Sequence, residues 1–114
     1  MSGWIGVDLD GTLAEYAGFR GAAYIGAPIP LMVDRVKEWL KQGAEVRIFT
    51  ARVAMGCRDE ALPPIEAWCL EHLGVVLPVT HEKDFGMVEL WDDRCVQVVA
   101  NTGRRADGLE YLSQ

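Results

Sequence analysis

The sequence has few cysteines, no long apolar run and no excess of basic residues, and each of these shortages excludes a class of protein. Its three cysteines, Cys57, Cys69 and Cys95, include no C-x-x-C pair, so neither a disulfide framework nor a thiolate metal site is expected. No apolar stretch reaches the ~18 residues that suggest a membrane-spanning helix, and the opening MSGWIGVDLDG lacks the basic segment of a secretory signal. We therefore expect a cytoplasmic protein in a reducing compartment, with no membrane partner.

Acidic residues outnumber basic ones along the chain. Eleven Lys and Arg against seventeen Asp and Glu give a formal net charge of -6, so the field of the protein opposes general binding to nucleic acid. The remaining composition, 114 residues with 50% hydrophobic and 25% charged, is typical of a globular domain. Because roughly 50 residues is already a marginal size for an independent core, we predict one domain over residues 1–114.

Hydrophobic periodicity predicts strands and helices that alternate along the chain. The predicted strands are Trp4–Asp8, Glu45–Thr50, Val75–Thr80, Met87–Trp91 and Val96–Ala100. The predicted helices are Pro30–Gln42, a second helix that Pro63 and Pro64 open and Gly74 ends, and a short closing helix over Ala106–Leu112. Residues Ala14–Pro28 predict an ordered loop or small flap. This alternation predicts an α/β fold, a three-layer α/β/α Rossmann-like domain with a central, mostly parallel sheet.

Polar side chains follow several of the predicted strands. Asp8 and Asp10 come at the end of the first strand, Thr50 ends the second, and Asp92 and Asp93 follow the fourth. Parallel sheets bind ligands at the carboxyl ends of their strands, so we expect these side chains at one edge. Carboxylates so close to one another cannot all stay ionised without a cation, and magnesium binds carboxylate oxygens well. The sequence therefore predicts a Mg²⁺ site at this edge.

A carboxylate beside such a cation can attack a phosphate ester and form an aspartyl-phosphate, which divides one difficult step into two. Phosphoryl transfer also needs groups that stabilise charge on the equatorial oxygens. Candidates are the Thr50 hydroxyl, the Lys83 ammonium and the backbone amides of the turn after Asp10. Arg52 lies two residues beyond Thr50 and has two open interpretations, a phosphate ligand or the partner of a nearby acid.

Four segments in chain order resemble the four motifs of the haloacid dehalogenase superfamily. They are DLDGT (Asp8–Thr12), RIFT (Arg47–Thr50), Lys83 and WDD (Trp91–Asp93). The resemblance implies a fold like that of the superfamily and the activity of a phosphatase, because an Asp two residues beyond the nucleophile marks the phosphate-processing branch of that superfamily. The leading hypothesis is therefore a magnesium-dependent phosphomonoesterase.

The resemblance also implies a role for each matching residue. Asp8 is the expected nucleophile, Asp10 the general acid and base, Thr50 a phosphate-binding hydroxyl, and Lys83 the cation that steadies the phosphoryl group. The implied magnesium ligands are Asp8, the backbone carbonyl of Asp10, and Asp92, with Asp93 binding directly or through water. The expected substrate-binding residues are Gly11, Thr12, Thr50, Ala51, Arg52 and Lys83.

Many members of that superfamily carry a cap domain, and neither residues 14–28 nor residues 52–80 are long enough to form one. The resemblance therefore implies a capless member with an open site. Such a site is covered either by a large substrate or by a neighbouring subunit of a homo-oligomer. Expected substrates are a sugar phosphate, a nucleotide or the phosphorylated end of a macromolecule.

Other functions remain open at this point. A phosphotransferase or phosphomutase would use the same intermediate but a different acceptor. A catalytically inactive magnesium-binding interaction module would bind the cation without releasing phosphate. A phosphorylation-controlled receiver domain is disfavoured, since there the acidic pair comes first and the phosphorylated Asp later, whereas here DxD comes first and DD last.

Overall fold

The computed structural model describes residues 2–109 as a small Rossmann-like α/β domain. Its elements are β1 (Trp4–Asp8), α1 (Pro30–Lys41), β2 (Glu45–Phe49), α2 (Arg58–Leu73), β3 (Val79–Thr80) and β4 (Met87–Trp91), with one 3₁₀ turn at Ala51–Val53. The strands form a single parallel sheet in the order β3-β2-β1-β4. The prediction of a parallel α/β fold is confirmed.

One apolar core lies between the sheet and the two helices. Ile5 and Val7 of β1 and Ile48 of β2 are buried in it, and their spacing of two places them on one face of the sheet. The helices contribute Met32, Val33 and Val36 from α1 and Ala61, Ile65, Trp68, Cys69 and Leu73 from α2. Both helices therefore pack on the same face and contact each other. Residues 2–109 contain no further α-helix for a second helical layer, and neither helix is long and apolar enough to cross a membrane.

The opposite face of the sheet is covered at the amino end of β1 by Trp4, which is 2% exposed. The Arg47 guanidinium lies 4.4 Å from the centre of its ring, within the range of a cation–π contact. The indole N–H donates to Asp84 at 2.8 Å, and this hydrogen bond lowers the pKa of Asp84. The segment from β3 to β4 is thereby anchored at the amino ends of the strands.

The pairing of β1 with β4 contains a shift of one residue. Trp4 pairs with Met87 but Ile5 pairs with Glu89, so the register skips Val88. An extra residue of this kind exchanges the two faces of the strand that follows it. Trp91 consequently faces α1, where its ring lies 5.2 Å from that of Trp39.

The prediction that Pro63 and Pro64 open the second helix is wrong. The helix begins at Arg58, and both prolines lie inside it. Proline lacks the N–H that would bond the carbonyl four residues earlier. Those carbonyls belong to Asp59 and Glu60, which are exposed, so water can bind them. Burial of Ala61 and Ile65 then holds this part of the helix on the core.

The strand predicted over Val96–Ala100 is also wrong. This segment turns back on itself, with the N–H of Val99 bonded to Arg104 at 2.8 Å and the N–H of Ala106 bonded to Gln97 at 2.8 Å. Only an isolated bridge joins Val98 to Arg105. The predicted strand Val75–Thr80 is confined to Val79–Thr80. Of the predicted closing helix, residues 106–108 form turn and bend, Leu109 has no regular structure, and residues 110–112 lie outside the described part.

Residues 15–27, here called the flap, form the ordered loop that the sequence predicts between β1 and α1. The two ends of the flap are paired, since the N–H of Glu15 donates to Ala27 at 2.8 Å. The Trp68 indole of α2 donates to the carbonyl of Gly26 at 2.9 Å. Gly26 is required here, because a Cβ atom would collide with the Glu15 carbonyl. The flap is thus fixed above the carboxyl ends of the strands.

Candidate functional site

Three carboxylates meet at the carboxyl ends of β1 and β4. Asp8 is the last residue of β1, and Asp92 and Asp93 directly follow β4. One oxygen atom from each of the three lies within 4.8 Å of the others. The structure therefore brings together three of the four residues that the sequence suggests as metal ligands.

The surroundings of Asp8 disfavour its charged form. Burial is the largest cause that raises its pKa, to about 7 from an ordinary value of 3.8. A hydrogen bond with Asp93 and the negative charges of Asp92 and Asp93 act in the same direction. A cation bound among the three carboxylates would remove this repulsion.

The turn after β1 is shaped around Asp93. The Thr12 hydroxyl accepts the N–H of Asp93 at 3.0 Å and lies 3.1 Å from Asp93 Oδ1 and 3.4 Å from Asp8 Oδ2. Gly11 has φ +89°, and a Cβ atom there would lie 2.6 Å from Asp93 Oδ2. Gly11 and Thr12, which the sequence suggests as substrate-binding residues, are thus in contact with the acidic pair.

Asp10 is bound by Arg52. The guanidinium donates from Nε to Asp10 Oδ2 at 2.8 Å and from Nη2 to Asp10 Oδ1 at 2.9 Å. It also donates to the flap carbonyls of Ala22 at 3.3 Å and Tyr24 at 3.0 Å. Of the two interpretations that the sequence leaves open for Arg52, the structure shows the ion pair with an acid. Arg52 therefore joins the turn after β1 to the flap.

Replacing Arg52 with Ala is expected to lower the free energy of unfolding by about 2 kcal/mol, because Asp10 and two carbonyls lose their donor. The side chain of Arg52 is 8% exposed and that of Asp10 is 19% exposed, so water can replace the guanidinium only in part. Urea denaturation measures the change. Arg52→Lys should give an intermediate loss, since an ammonium cannot bind both carboxylate oxygens in the same planar geometry.

Lys37→Ala supplies the control for that measurement, because Lys37 is exposed on α1 and its removal should cost no more than about 0.5 kcal/mol. An Arg52→Ala variant as stable as Lys37→Ala would contradict a structural role for the ion pair.

Thr50 directly follows β2, and Lys83 lies in the loop between β3 and β4. Thr50 is 2% exposed, and its hydroxyl accepts the N–H of Arg52 at 3.2 Å at the start of the 3₁₀ turn. Lys83 is exposed and lines a separate cavity with Asp84 and Phe85. Its neighbour Asp84 is bonded to the first residue of β1, four residues or ~13 Å along the strand from Asp8. Lys83 lies in the segment that runs from the carboxyl end of β3 back to the amino end of β4.

The carboxylates line a cavity of about 290 Å³. Its walls are Asp8, Asp10, Tyr16, Phe49, Ala51, Asp92, Asp93 and Arg94. Sequence reasoning does not single out Tyr16 or Phe49 as lining residues. Arg94, which directly follows the acidic pair, also lines this cavity, and its backbone N–H donates to Asp92 Oδ1 at 2.8 Å. Arg94 is thus a basic residue in the lining of this cavity, whereas Lys83, which the sequence suggests, lines a different one.

Comparisons with known proteins support the fold. No protein-family model matches the sequence, and no curated protein matches it. A solved structure, described as that of a conserved protein coded by locus from Bacteroides thetaiotaomicron, is similar with a TM-score of 0.60 and 23% sequence identity. The likeness covers 84% of this chain and 79% of that chain. It identifies the same fold and carries no further statement about function.

Proposed function

We propose that the chain is a magnesium-dependent phosphatase that hydrolyses phosphate monoesters through an aspartyl-phosphate on Asp8. The observation that carries the proposal is the convergence of Asp8, Asp92 and Asp93 at the ends of two neighbouring strands. The order of the motifs, which resembles that of the haloacid dehalogenase superfamily, supports the same assignment.

A hard divalent cation fits the donor set. All three side chains offer carboxylate oxygens, which magnesium prefers, and burial, together with the nearby Asp92 and Asp93, raises the pKa of Asp8. Asp8, Asp92 and Asp93 would hold the cation, with the backbone carbonyl of Asp10 as the further ligand that the resemblance implies. Magnesium, when bound, would neutralise charge on the phosphoryl oxygens and polarise the phosphate.

In the proposed reaction, an oxygen of Asp8 attacks phosphorus and the ester P–O bond breaks. Protonated Asp10 gives its proton to the leaving oxygen. Asp10 then takes a proton from water as the water oxygen attacks the aspartyl-phosphate, which releases inorganic phosphate and restores the carboxylate of Asp8. Arg94, which lines the cavity, stabilises the negative charge that the phosphoryl oxygens carry. Because Arg52 binds both oxygens of Asp10, proton transfer requires that one of them be released.

The proposal is tested by measuring phosphate release from sugar phosphates, nucleotides and an aryl phosphate. We expect turnover with magnesium and none with EDTA, and loss of turnover in Asp8→Asn. Asp34→Asn is the matched control, because Asp34 is an exposed acid on α1. Magnesium-independent release, or equal rates in Asp8→Asn and the wild-type protein, would contradict the proposal.

The placement of Lys83 and the ion pair of Asp10 with Arg52 favour a second candidate, a magnesium-binding interaction module without turnover. This candidate predicts binding of Mg²⁺ by calorimetry and no phosphate release from any ester in the same panel. A phosphotransferase with the same intermediate would instead release phosphate slowly and form a new ester when an acceptor alcohol is added. We propose that the enzyme, whether phosphatase or phosphotransferase, acts in the cytoplasm on a phosphorylated small molecule.

A further inference from the structure

A second cavity adjoins the carboxylate cavity, and Tyr16 and Ala51 line both. Its volume is about 510 Å³. The flap forms one wall with Tyr16, Phe19 and Ala22, and the opposite wall includes Ala51 and Ala61. We call this second cavity the flap groove. The groove is continuous with the site in which phosphate would bind.

The flap groove presents two aromatic rings to solvent. The side chain of Phe19 is 64% exposed and that of Tyr16 is 52% exposed. Exposed aromatic side chains that line a cavity beside polar groups are typical of a ligand site. Small residues, Ala22, Ala51 and Ala61, leave room opposite these rings. A planar ring in the groove would cover exposed surface of Phe19 and Tyr16.

The polar groups of the flap groove fit a ring better than an unsubstituted sugar. Arg52 lines the groove, but its donors are bonded to Asp10 and to two flap carbonyls. Its guanidinium also lies 5.4 Å from the centre of the Phe19 ring. Glu60 adds a carboxylate to the lining. Several sugar hydroxyls would lose water there with few partners, which costs free energy, whereas a ring would stack on Phe19.

The position of Asp10 indicates which part of the substrate would lie in the groove. Attacking and leaving oxygens are roughly in line in phosphoryl transfer, so the leaving group lies on the side away from Asp8. In the proposed reaction Asp10 donates its proton to that leaving oxygen. Asp10 is bonded to Arg52, and Arg52 lines the flap groove. The groove therefore adjoins the residues on the leaving-group side of the site, since Arg52 joins Asp10 to the flap.

We infer that the flap groove binds the leaving group of the substrate and that this group contains a planar aromatic ring. The inference rests on the proposed phosphatase function and specifies its substrate as a small phosphate monoester with such a ring. A nucleobase and a simple aryl ring share this chemistry, and Phe19 is the residue on which either stacks.

Binding is measured first, by calorimetry with magnesium present. Benzylphosphonate and ethylphosphonate share a phosphonate that is not hydrolysed, and only the first carries a ring. We expect benzylphosphonate to bind about tenfold more tightly, and Phe19→Ala to remove most of this preference. Phe85→Ala is the matched control, because Phe85 is fully exposed and lines a different cavity. It should leave the preference unchanged.

A second variant tests the groove by filling it. Ala22→Phe should lower kcat/KM for benzyl phosphate by about tenfold or more and change kcat/KM for ethyl phosphate by less than about twofold. The two leaving alcohols have similar acidity, so their intrinsic reactivity differs little. Ala23→Phe is the control, since Ala23 lines another cavity with Trp68 and His72. A purine nucleoside monophosphate compared with the same ribose phosphate lacking its base separates a nucleobase from a simple aryl ring.

Two results would overturn the inference while the proposed function stands. They are equal binding of the two phosphonates, and a preference that persists in both Phe19→Ala and Ala22→Phe. Failure to hydrolyse any ester, with a Phe19-dependent preference for benzylphosphonate, would overturn the phosphatase and support the groove as a ring-binding site.

Discussion

Asp8→Asn is expected to lose phosphate release and, in the absence of metal, to be more stable than the wild-type protein above neutral pH. The loss of turnover should be about a thousandfold or more, because the attacking carboxylate is removed. The gain in stability has a separate cause. Burial, and then the neighbouring Asp92 and Asp93, raise the pKa of Asp8 to about 7, so at higher pH a charge is held in a half-buried site beside two others, and an amide removes it. With allowance for solvent screening of this half-buried site, the gain should be about 1 kcal/mol.

Both changes are measured on the same preparations, with phosphate release in magnesium and urea denaturation in EDTA. Asp34→Asn removes an exposed charge on α1 and should alter neither. An Asp8→Asn protein that is inactive and also less stable above neutral pH would indicate general damage to the fold, and it would contradict the electrostatic description of the site.

Magnesium should stabilise the protein, and more strongly as the pH rises. The folded-state pKa of Asp8 is about 7, above its ordinary value of 3.8, so the folded chain retains a proton that the unfolded chain releases. The stability contributed by this proton is complete below the ordinary pKa and is lost as the pH rises through the folded-state value. Without metal, the Asp8 contribution to the free energy of unfolding should therefore fall from about pH 4 to about pH 8, and it should be smaller at pH 8 than at pH 5.

Binding of a cation to ionised carboxylates has the opposite dependence on pH, because protons compete for the same oxygens. Magnesium at a hundred times its Kd should add about 2.7 kcal/mol to the free energy of unfolding. Thermal melting at pH 5 and at pH 8, with magnesium and with EDTA, measures the effect of pH and the effect of the metal on stability. Asp92→Asn should reduce the magnesium-dependent shift and Asp34→Asn should preserve it. A shift of equal size in the two variants would place the cation elsewhere.

Much of the fold follows from local patterns in the sequence. A short apolar run marks β1, β-branched and aromatic residues mark β2, and an apolar stripe begins α1 at Pro30, so these elements are predicted within a residue of their observed bounds. The start of α2 and the segment after β4 are not predicted correctly. The first depends on exposed carbonyls that tolerate two prolines, and the second depends on pairing between residues 97–99 and 104–106. Neither property is visible in hydrophobic periodicity.

The candidate site, like the fold, is predicted only in part from the sequence. Asp8 ends β1 and the pair Asp92 and Asp93 follows β4, and parallel strands bring such residues to one edge. Their contact also requires that β4 lie beside β1, which the strand pattern leaves open. The partners of Arg52 and the position of Lys83 depend on the paths of the flap and of residues 81–86. The order of motifs along the chain contains no information about those paths.

The residue skipped in the pairing of β1 with β4 means that β4 contains one residue more than the pairing requires. Deletion of Val88 would therefore pair β4 residue for residue with β1 and would leave Trp91 opposite Val7, on the same face of the sheet as before. Asp92 and Asp93 would keep their positions beside Asp8, whereas the loss of a second residue would move them by one position, ~3.3 Å along the strand. The position of the carboxylates thus tolerates the loss of one residue between Met87 and the acidic pair but not of two.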